Sequence, residues 1–547
     1  MRLGVDGRLH LPHHLLMFSE SSSQINDSPP KNTGILFKVG FLIAIIISIS
    51  PLLSVDVYPF VDFPIHSSLI QILTSMGKAD SQLPQDFTFQ WFTPYTVTYL
   101  LAYLFASFTD AEMAARSILV LYMIATPLAF IHLLKSTGQN IHYAFFVFPA
   151  LYNFNLAWGF LPFLLSIPVF LFTLSLCFRT CLNTDLHKTL WLGILFVLLF
   201  FTHLFSWMLA VLTVLVMTLF TGHQIFKKLL LATLAIVPSF FLGIFWYWGL
   251  SYSDADQRFL SKQIEFDSLF NKIRFLPDYV FSGDPFGVYR TLFYCFVGLM
   301  LIGMCYPVCF FQKNSRHSSP FRLRFSIFFS LCIIYFICPY SLLTAVWLHN
   351  RIAVFIILSA ILLLPTNSSR RWIIDVAMIS IIIIMTIHTA GIYSMFKAEA
   401  QGFFSVLNSC EHGKSLCYLI HSKPVQGGIL ADGRSLYSDN TPYDHFDQYY
   451  QLRKNGQVYN PFASLTHMPI RYKSSVKDEK IRNRPIVRKT IWMDDVQVTV
   501  DQYDYFLMRF QKATVNEPLK TIFQEDSQKL TFVASNPPWF LAARASD

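Results

Sequence analysis

The sequence predicts a polytopic α-helical membrane protein with a C-terminal soluble domain of mixed α and β structure. The chain of 547 residues is 54% hydrophobic, contains 55 phenylalanines and is only 14% charged. Within residues 35–396, apolar segments recur that are long enough to cross a hydrocarbon core of roughly 30 Å. After residue 396 the composition becomes polar and rich in turn residues. A soluble protein cannot bury that much apolar surface, so the fold class follows from these observations.

Residues 1–34 are polar and lack the apolar core of a cleavable signal peptide. We expect them to form a disordered lead, followed by an uncleaved anchor that begins the transmembrane domain, residues 35–396. Twelve apolar segments are candidate spans: 35–54, 92–110, 116–134, 142–160, 161–178, 189–204, 205–222, 229–249, 287–311, 322–342, 347–365 and 372–396.

Lys and Arg collect in three short loops, at Lys227 and Lys228, at residues 312–324 and at residues 367–372. The positive-inside rule places these loops in the cytoplasm, which makes residues 250–286 and everything after residue 396 external. Twelve spans after an inside N-terminus would contradict this, so we expect an odd total of eleven or thirteen. Basic inner loops beside anionic lipid account for the net charge of +9 without a nucleic-acid partner.

The external domain, residues 397–547, carries Gly-Gly, Asp-Gly and Asn-Gly turns and the run "WMDDVQVTVDQYDYFLMRF". That run alternates apolar and polar residues, which predicts strands with one buried face. Cys410 and Cys417 frame "CEHGKSLC", and we predict that they form a disulfide in an oxidising compartment. Two free thiols are the alternative, whereas zinc binding with His412 lacks a second ligand pair.

The first external loop, residues 55–92, begins "VDVYPFVDFPIHSSL" and contains Asp56, Asp62 and His66. A short amphipathic helix is predicted to begin near Pro64, where Asp62 can cap the free N–H groups of its first turn. His66 lies four residues after Asp62, within reach of a shared hydrogen bond. Burial at the bilayer edge would raise the pKa of a carboxylate towards that of a general base. The alternative is that Asp62 only caps the helix and His66 faces water.

Several segments resemble the GT-C glycosyltransferases, membrane enzymes that use lipid-phosphate-linked sugars. The segment "PFVDFPIHSSLIQIL" is similar to their acidic first loop, and "LYNFNLAWGFLPFLLSIPVFL" and "FTHLFSWMLAVL" to their middle helices. The segments "YDYFLMRF" and "NPPWFLAAR" resemble the last strands of their periplasmic domains. The resemblance implies an inverting hexosyl- or pentosyltransferase in a bacterial inner membrane. Its donor would be a polyprenyl-phosphate sugar, and its acceptor a glycan, lipid or protein on the periplasmic side.

By the same resemblance, Asp62 is the general base that deprotonates the acceptor hydroxyl, and Asp56 is the second choice. His66 would orient a carboxylate or bind the phosphate. Asp278 and Asp284 are candidates for a second acidic residue, with a structural role in a turn as the alternative.

A phosphate leaving group needs a cationic partner, and "WLHNRIAVF" places Arg351 near the external end of a span, with His349 beside it. Arg290 is a weaker candidate, and a snorkelling Arg351 is the alternative. His203 is interpreted as a packing residue. No metal-ligand motif occurs, and a requirement for a divalent metal stays open.

Two other functions stay open, a lipid or polysaccharide flippase and a catalytically inactive accessory protein. No repeat relates the two halves of the chain, and the candidate charges lie at the external edge rather than mid-membrane. Both observations favour chemistry over transport.

Overall fold

The structure is a computed structural model of the 547-residue chain. The described residues are 31–76, 78, 83–182, 184–222, 224–249, 264–284, 286–305, 319–342, 345–365, 371–421, 442–473, 500–510 and 523–545. Most of the predicted N-terminal lead and most of the basic loop at 312–324 lie outside these ranges, as do several of the predicted glycine turns.

Helices dominate the first 400 residues, as predicted. Six of those described are long and apolar enough to cross a membrane, and five shorter apolar helices of 10–17 residues accompany them. The protein is therefore a multi-pass membrane protein. In chain order the helices of this part are α1 (Lys31–Leu53), α2 (Phe63–Ser75), α3 (Thr96–Ala106), α4 (Ala111–Ser136), α5 (Val147–Ala150), α6 (Phe154–Trp158), α7 (Leu161–Leu182), α8 (Leu186–Thr202), α9 (Leu204–Leu219), α10 (Ile225–Trp248), α11 (Leu269–Arg274), α12 (Leu276–Phe281), α13 (Val288–Cys305), α14 (Ser319–Ile337), α15 (Leu348–Ile361) and α16 (Arg371–Leu407).

The predicted span at residues 142–160 is wrong. This segment consists of a 3₁₀ turn, Ile141–Phe146, followed by the short helices α5 and α6. Asn153 interrupts the helix because its side chain accepts a hydrogen bond from the N–H of Asn155, and Gly159 ends α6 in a left-handed conformation. Such broken backbone is tolerated at membrane depth only where protein surrounds it, and almost every side chain in this segment is buried.

The predicted domain boundary at residue 397 falls inside α16, which continues without a break to Leu407. The C-terminal domain then adds α17 (Gln448–Lys454) and a four-stranded sheet. The strands of this part are β4 (Leu416–His421), β5 (Ile470–Tyr472), β6 (Tyr505–Phe510), β7 (Leu530–Asn536) and β8 (Trp539–Arg544), after β1 (Phe87–Phe89), β2 (Ser341–Leu342) and β3 (Ala345–Val346) earlier in the chain. The sheet order is β4-β6-β8-β7, with β4 and β6 parallel and the other pairs antiparallel. The domain is thus of mixed α and β structure, as predicted.

Strand β6 is buried on both faces, where the alternation had predicted only one. One face belongs to an apolar core that includes Phe506 and Met508. The other face packs on α16, where Arg509 forms a buried ion pair of 2.6 Å with Glu399. Residues 43–547 accordingly form one compact unit.

The first external loop is joined to the C-terminal domain at two places. Strand β1 of the loop pairs antiparallel with β5, with Phe87 opposite Tyr472. Helix α2 packs against α17, where Ser68 Oγ donates to Gln448 Oε1 at 2.8 Å. The C-terminal domain therefore sits directly on the helix that follows Asp62.

The disulfide predicted between Cys410 and Cys417 is not formed, since both are free, buried thiols. Cys417 lies in β4 and points into the apolar core with Phe506. Cys410 lies beyond the end of α16, close to Tyr450 and Tyr505, and Tyr505 is on the opposite face of the sheet from Phe506. Burial raises the pKa of the Cys410 thiol to about 12, so neither oxidation nor metal binding is favoured there.

Candidate active site

Asp62 lies at the start of α2, held by the broken segment that precedes α7. Its N–H donates to the carbonyl of Trp158 at 2.8 Å. Gly159 lies so close that a Cβ there would be 2.9 Å from the backbone nitrogen of Phe63, and its φ of +73° also favours glycine. Asp62 is only 6% exposed. The interrupted helix at 142–160 thus fixes the position of a buried carboxylate.

The predicted helix begins at Phe63, one residue after Asp62, but Asp62 does not cap it with its side chain. Instead, its Oδ1 atom lies 3.6 Å from Nε2 of His445 in the C-terminal domain. Helix α2 was predicted to be amphipathic, with one exposed face, but both of its faces are buried against α3, α4 and α17. The carboxylate is therefore directed towards the C-terminal domain.

His66 is buried, which excludes the alternative that it faces water. Its Nδ1 atom lies 2.7 Å from the hydroxyl of Tyr99. Burial, with a smaller contribution from His445, lowers the pKa of His66 to about 3, so the imidazole is neutral at physiological pH. The predicted contact of the His66 ring with a carboxylate is replaced by this contact with a tyrosine.

Arg351 lies one turn into α15, and its guanidinium is enclosed by aromatic rings. The guanidinium carbon is 4.2 Å from the ring centre of Phe160 and 5.8 Å from that of Phe163. Nη1 donates to Nε2 of His203 at 3.3 Å, while the buried Nε has no hydrogen-bond partner. Among the described residues no carboxylate forms an ion pair with Arg351. An arginine that snorkels to the interface would not be held in this way.

Asp62 and Arg351 belong to one group. The charge of Asp62 interacts with both Arg351 and Tyr99, although the two charges are not in ion-pair contact. We call the set of Asp62, Arg351, Tyr95, Tyr99, His203 and His445 the Asp62 cluster. A buried carboxylate thus lies within electrostatic range of a half-buried guanidinium whose buried Nε–H has no partner.

Two helices that supply this cluster begin at residues with unusual backbone. Tyr95, just before α3, has φ of +72°, and Trp347, just before α15, has φ of +62°. A left-handed conformation costs a non-glycine residue of order 1–3 kcal/mol and is concentrated at functional sites. The Tyr95 ring contacts His203 at 5.1 Å and His467 of the C-terminal domain at 5.7 Å between ring centres.

Asp56 lies outside the cluster. Its side chain is 63% exposed and forms an ion pair of 2.9 Å with Lys397 on α16. Partial burial acts to raise the pKa of Asp56, but hydrogen bonding and the positive charges of Lys397 and Arg116 together outweigh burial and lower that pKa. A charged, exposed, paired carboxylate is a poor general base.

His349 does not accompany Arg351, because residues two apart lie on different faces of a helix. Its ring is buried among Tyr279, Tyr335 and Tyr340, with Nε2 3.3 Å from Asp267. It therefore belongs to a separate polar group.

The two later acidic candidates, Asp278 and Asp284, both make hydrogen bonds within the protein. Asp278 is held by the guanidinium of Arg290, yet burial keeps the pKa of Asp278 above its ordinary value. Asp284 accepts hydrogen bonds from the N–H groups of Phe286 and Tyr289 at the start of α13. Asp284 thus has the structural turn role that was the alternative. Arg290 already has a carboxylate partner, unlike Arg351.

No group of three or more potential metal ligands occurs among the described residues.

No protein-family model and no curated protein sequence matches the chain. Among solved structures, ArnT from Cupriavidus metallidurans in the apo state is similar over 94% of this chain and 98% of its own, with a TM-score of 0.52 and 10% identity. The same ArnT bound to undecaprenyl phosphate is similar over 95% and 99%, with a TM-score of 0.53 and 11% identity. The chain has a GT-C-like fold. At this level of identity the likeness concerns the fold, from the first membrane helix to the C-terminal domain.

Four members of the Asp62 cluster were not predicted as site residues from the sequence: Tyr95, Tyr99, His203 and His445. In the sequence, His203 has the setting of a packing residue within an apolar segment. His203 differs from a histidine in the middle of a helix because it lies between two apolar helices, at the N-terminus of α9. Nothing local marks His445, which meets Asp62 only through the docking of the C-terminal domain.

Proposed function

We propose that this protein is a membrane glycosyltransferase that moves a sugar from a polyprenyl-phosphate donor to an acceptor hydroxyl group. Asp62 acts as the general base, and Arg351 binds the donor phosphate. One observation carries the proposal: Arg351 has a buried Nε–H without a partner, and its charge lies within electrostatic range of the buried carboxylate of Asp62. A buried N–H without a hydrogen-bond partner is unusual in a protein, and a bound ligand can supply the missing acceptor. A phosphate oxygen suits a guanidinium N–H in this role.

The GT-C-like fold supports the choice of donor. ArnT, which is similar over nearly its whole length, binds undecaprenyl phosphate in one of its crystal structures. A lipid phosphate would bring its negative charge to the Arg351 guanidinium while its apolar chain stays among the membrane helices. The sugar and the acceptor are not specified by this comparison.

The chemistry follows from these roles. Asp62 takes the proton of the acceptor hydroxyl as the acceptor oxygen attacks the anomeric carbon of the sugar. The bond from that carbon to the phosphate oxygen breaks, and its electron pair stays on the phosphate. Arg351 stabilises the charge that develops on this leaving group. Attack from the face opposite the phosphate inverts the anomeric configuration. We place this reaction on the periplasmic side of a bacterial inner membrane.

Lipid binding tests the proposal before the sugar is known. Undecaprenyl phosphate should bind the purified protein in native mass spectrometry, whereas undecaprenol, which lacks the phosphate, should bind far less. Equal binding of the two lipids would mean that the protein does not recognise a phosphate, and would favour the flippase or accessory functions instead.

A further inference from the structure

The C-terminal domain delivers a histidine to Asp62. Its helix α17 is anchored on α2 by two hydrogen bonds, from Ser68 Oγ to Gln448 at 2.8 Å and from Gln451 to the Ser68 carbonyl at 3.1 Å. Asn460, which follows α17, donates a third to Ser68 Oγ at 2.9 Å. His445 lies three residues before α17, so the same contacts fix its position.

The imidazole of His445 is more exposed to solvent than the carboxylate that it approaches. Its side chain is 21% exposed, whereas that of Asp62 is 8% exposed, and the two are 3.6 Å apart. His66, on α2, interacts electrostatically with His445. The ring of Phe462 packs against the His445 ring, with 6.1 Å between the ring centres. Asp444 and Asp447 flank it on its own segment. Of the two histidines next to Asp62, His66 is neutral and already hydrogen-bonded to Tyr99, so it is poorly placed to move protons.

A buried general base must lose its proton before the next turnover. We propose that His445 is the proton-relay residue of the site, passing the acceptor's proton from Asp62 to water. This rests on the proposed function. The proton moves from an Asp62 oxygen to Nε2 of His445, and the ring then releases a proton to the solvent. No electron is transferred, because the electron pair of the broken bond stays on the phosphate. Histidine suits this role because its ordinary pKa lies near neutrality.

The distance of 3.6 Å is slightly longer than a hydrogen bond. Catalytic hydrogen bonds are often long in a structure without substrate and shorten when the substrate is bound. The proposal therefore makes the C-terminal domain a part of the active site rather than an attached module.

Chemical rescue tests the relay. A panel of undecaprenyl-phosphate hexoses and pentoses is incubated with the protein and bacterial membranes, and the release of undecaprenyl phosphate is followed by mass spectrometry. His445→Ala should lower the rate by about 10²-fold, the lower end of what general acid–base groups contribute. Added imidazole at constant pH and ionic strength should restore much of that rate in a saturable way. The exposed His412 of the same domain provides a matched control, since His412→Ala should keep the wild-type rate and gain nothing from imidazole.

The outcomes separate the relay from the proposed function. Thermal unfolding and undecaprenyl phosphate binding establish that His445→Ala is folded, and His445→Asn provides a second, polar variant that cannot relay. If Asp62→Asn is inactive but the folded His445 variants match the wild-type rate, or are slow and not rescued by imidazole, the relay is overturned and the proposed function stands. If no donor of the panel turns over, or if Asp62→Asn is fully active, the proposed function fails and the relay fails with it.

Discussion

Asp62 and Asp56 illustrate how burial separates two carboxylates in the same loop. Asp62 is 6% exposed and faces the C-terminal domain, while the Asp56 side chain is 63% exposed and paired with Lys397. The local sequence indicated this preference only weakly, through the helix that follows Asp62. The two candidate arginines also differ in their surroundings. Arg351 has a buried N–H without a partner, whereas Arg290 is held by Asp278.

We predict that Arg351→Ala abolishes most of the binding of undecaprenyl phosphate. Arg351→Lys should retain part of the affinity, because an ammonium keeps the charge but loses the planar fork of donors. Native mass spectrometry of the variants measures this. Arg290→Ala is the comparison and should bind the lipid normally while lowering the thermal unfolding temperature, since it leaves buried Asp278 without its partner. Normal lipid binding by Arg351→Ala would show that the arginine serves packing alone.

At the scale of elements, the segment 142–160 positions the start of α2. Its sequence is as apolar as a membrane span, which is why it was predicted to be one. The Asn153 cap and the left-handed Gly159 break it into short pieces that support the start of α2. Apolar composition predicts burial, but it does not distinguish burial in lipid from burial in protein. Helix periodicity, by contrast, is enough to place His349 and Arg351 on different faces of α15.

We predict that Gly159→Ala damages the site. The added Cβ would lie 2.9 Å from the backbone nitrogen of Phe63 and 3.1 Å from Phe60 Cβ, and the left-handed backbone adds strain. We expect a destabilisation of about 1–3 kcal/mol and a lower transfer rate, because Asp62 is displaced. Thermal unfolding and the donor-turnover assay measure the two effects.

Gly391 provides the control, since it lies within α16 and a Cβ there meets no atom within 4 Å. Gly391→Ala should be neutral or stabilising by up to about 1 kcal/mol. If both variants behave alike, Gly159 does not position Asp62.

For the whole molecule, the sequence was sufficient to predict a multi-pass membrane protein with a mixed α and β C-terminal domain and a GT-C-like fold. Composition and hydropathy predict the membrane helices and the domain that follows them, whereas the GT-C-like fold was implied by the resemblance of several short segments. The contacts of the C-terminal domain with the first loop, β1 with β5 and His445 with Asp62, join residues nearly 400 positions apart, and no local pattern encodes them. The disulfide prediction was wrong for the same reason, because spacing along the chain did not reveal that Cys417 points into the core of the sheet.

Topology is predicted at this scale. Helices α10 and α16 carry basic residues in their first turns, Lys227 and Lys228 in one and Arg371 in the other, which the positive-inside rule places in the cytoplasm. The C-terminal domain, at the far end of α16, should then be periplasmic. Alkaline phosphatase fused after Asp547 should be active, and green fluorescent protein at the same position should be dark. The reverse pattern would put the Asp62 cluster on the cytoplasmic side.

The central claim is that Asp62 is the general base of a glycosyl transfer, and one comparison of variants tests it most directly. Asp62→Asn is nearly isosteric, so folding and undecaprenyl phosphate binding should be preserved. Release of undecaprenyl phosphate from the sugar-donor panel should fall by about 10²–10⁴-fold, the usual contribution of a general base. Asp56→Asn, in the same loop, should reduce that release far less. Wild-type release by Asp62→Asn, or a complete loss confined to Asp56→Asn, would contradict the account.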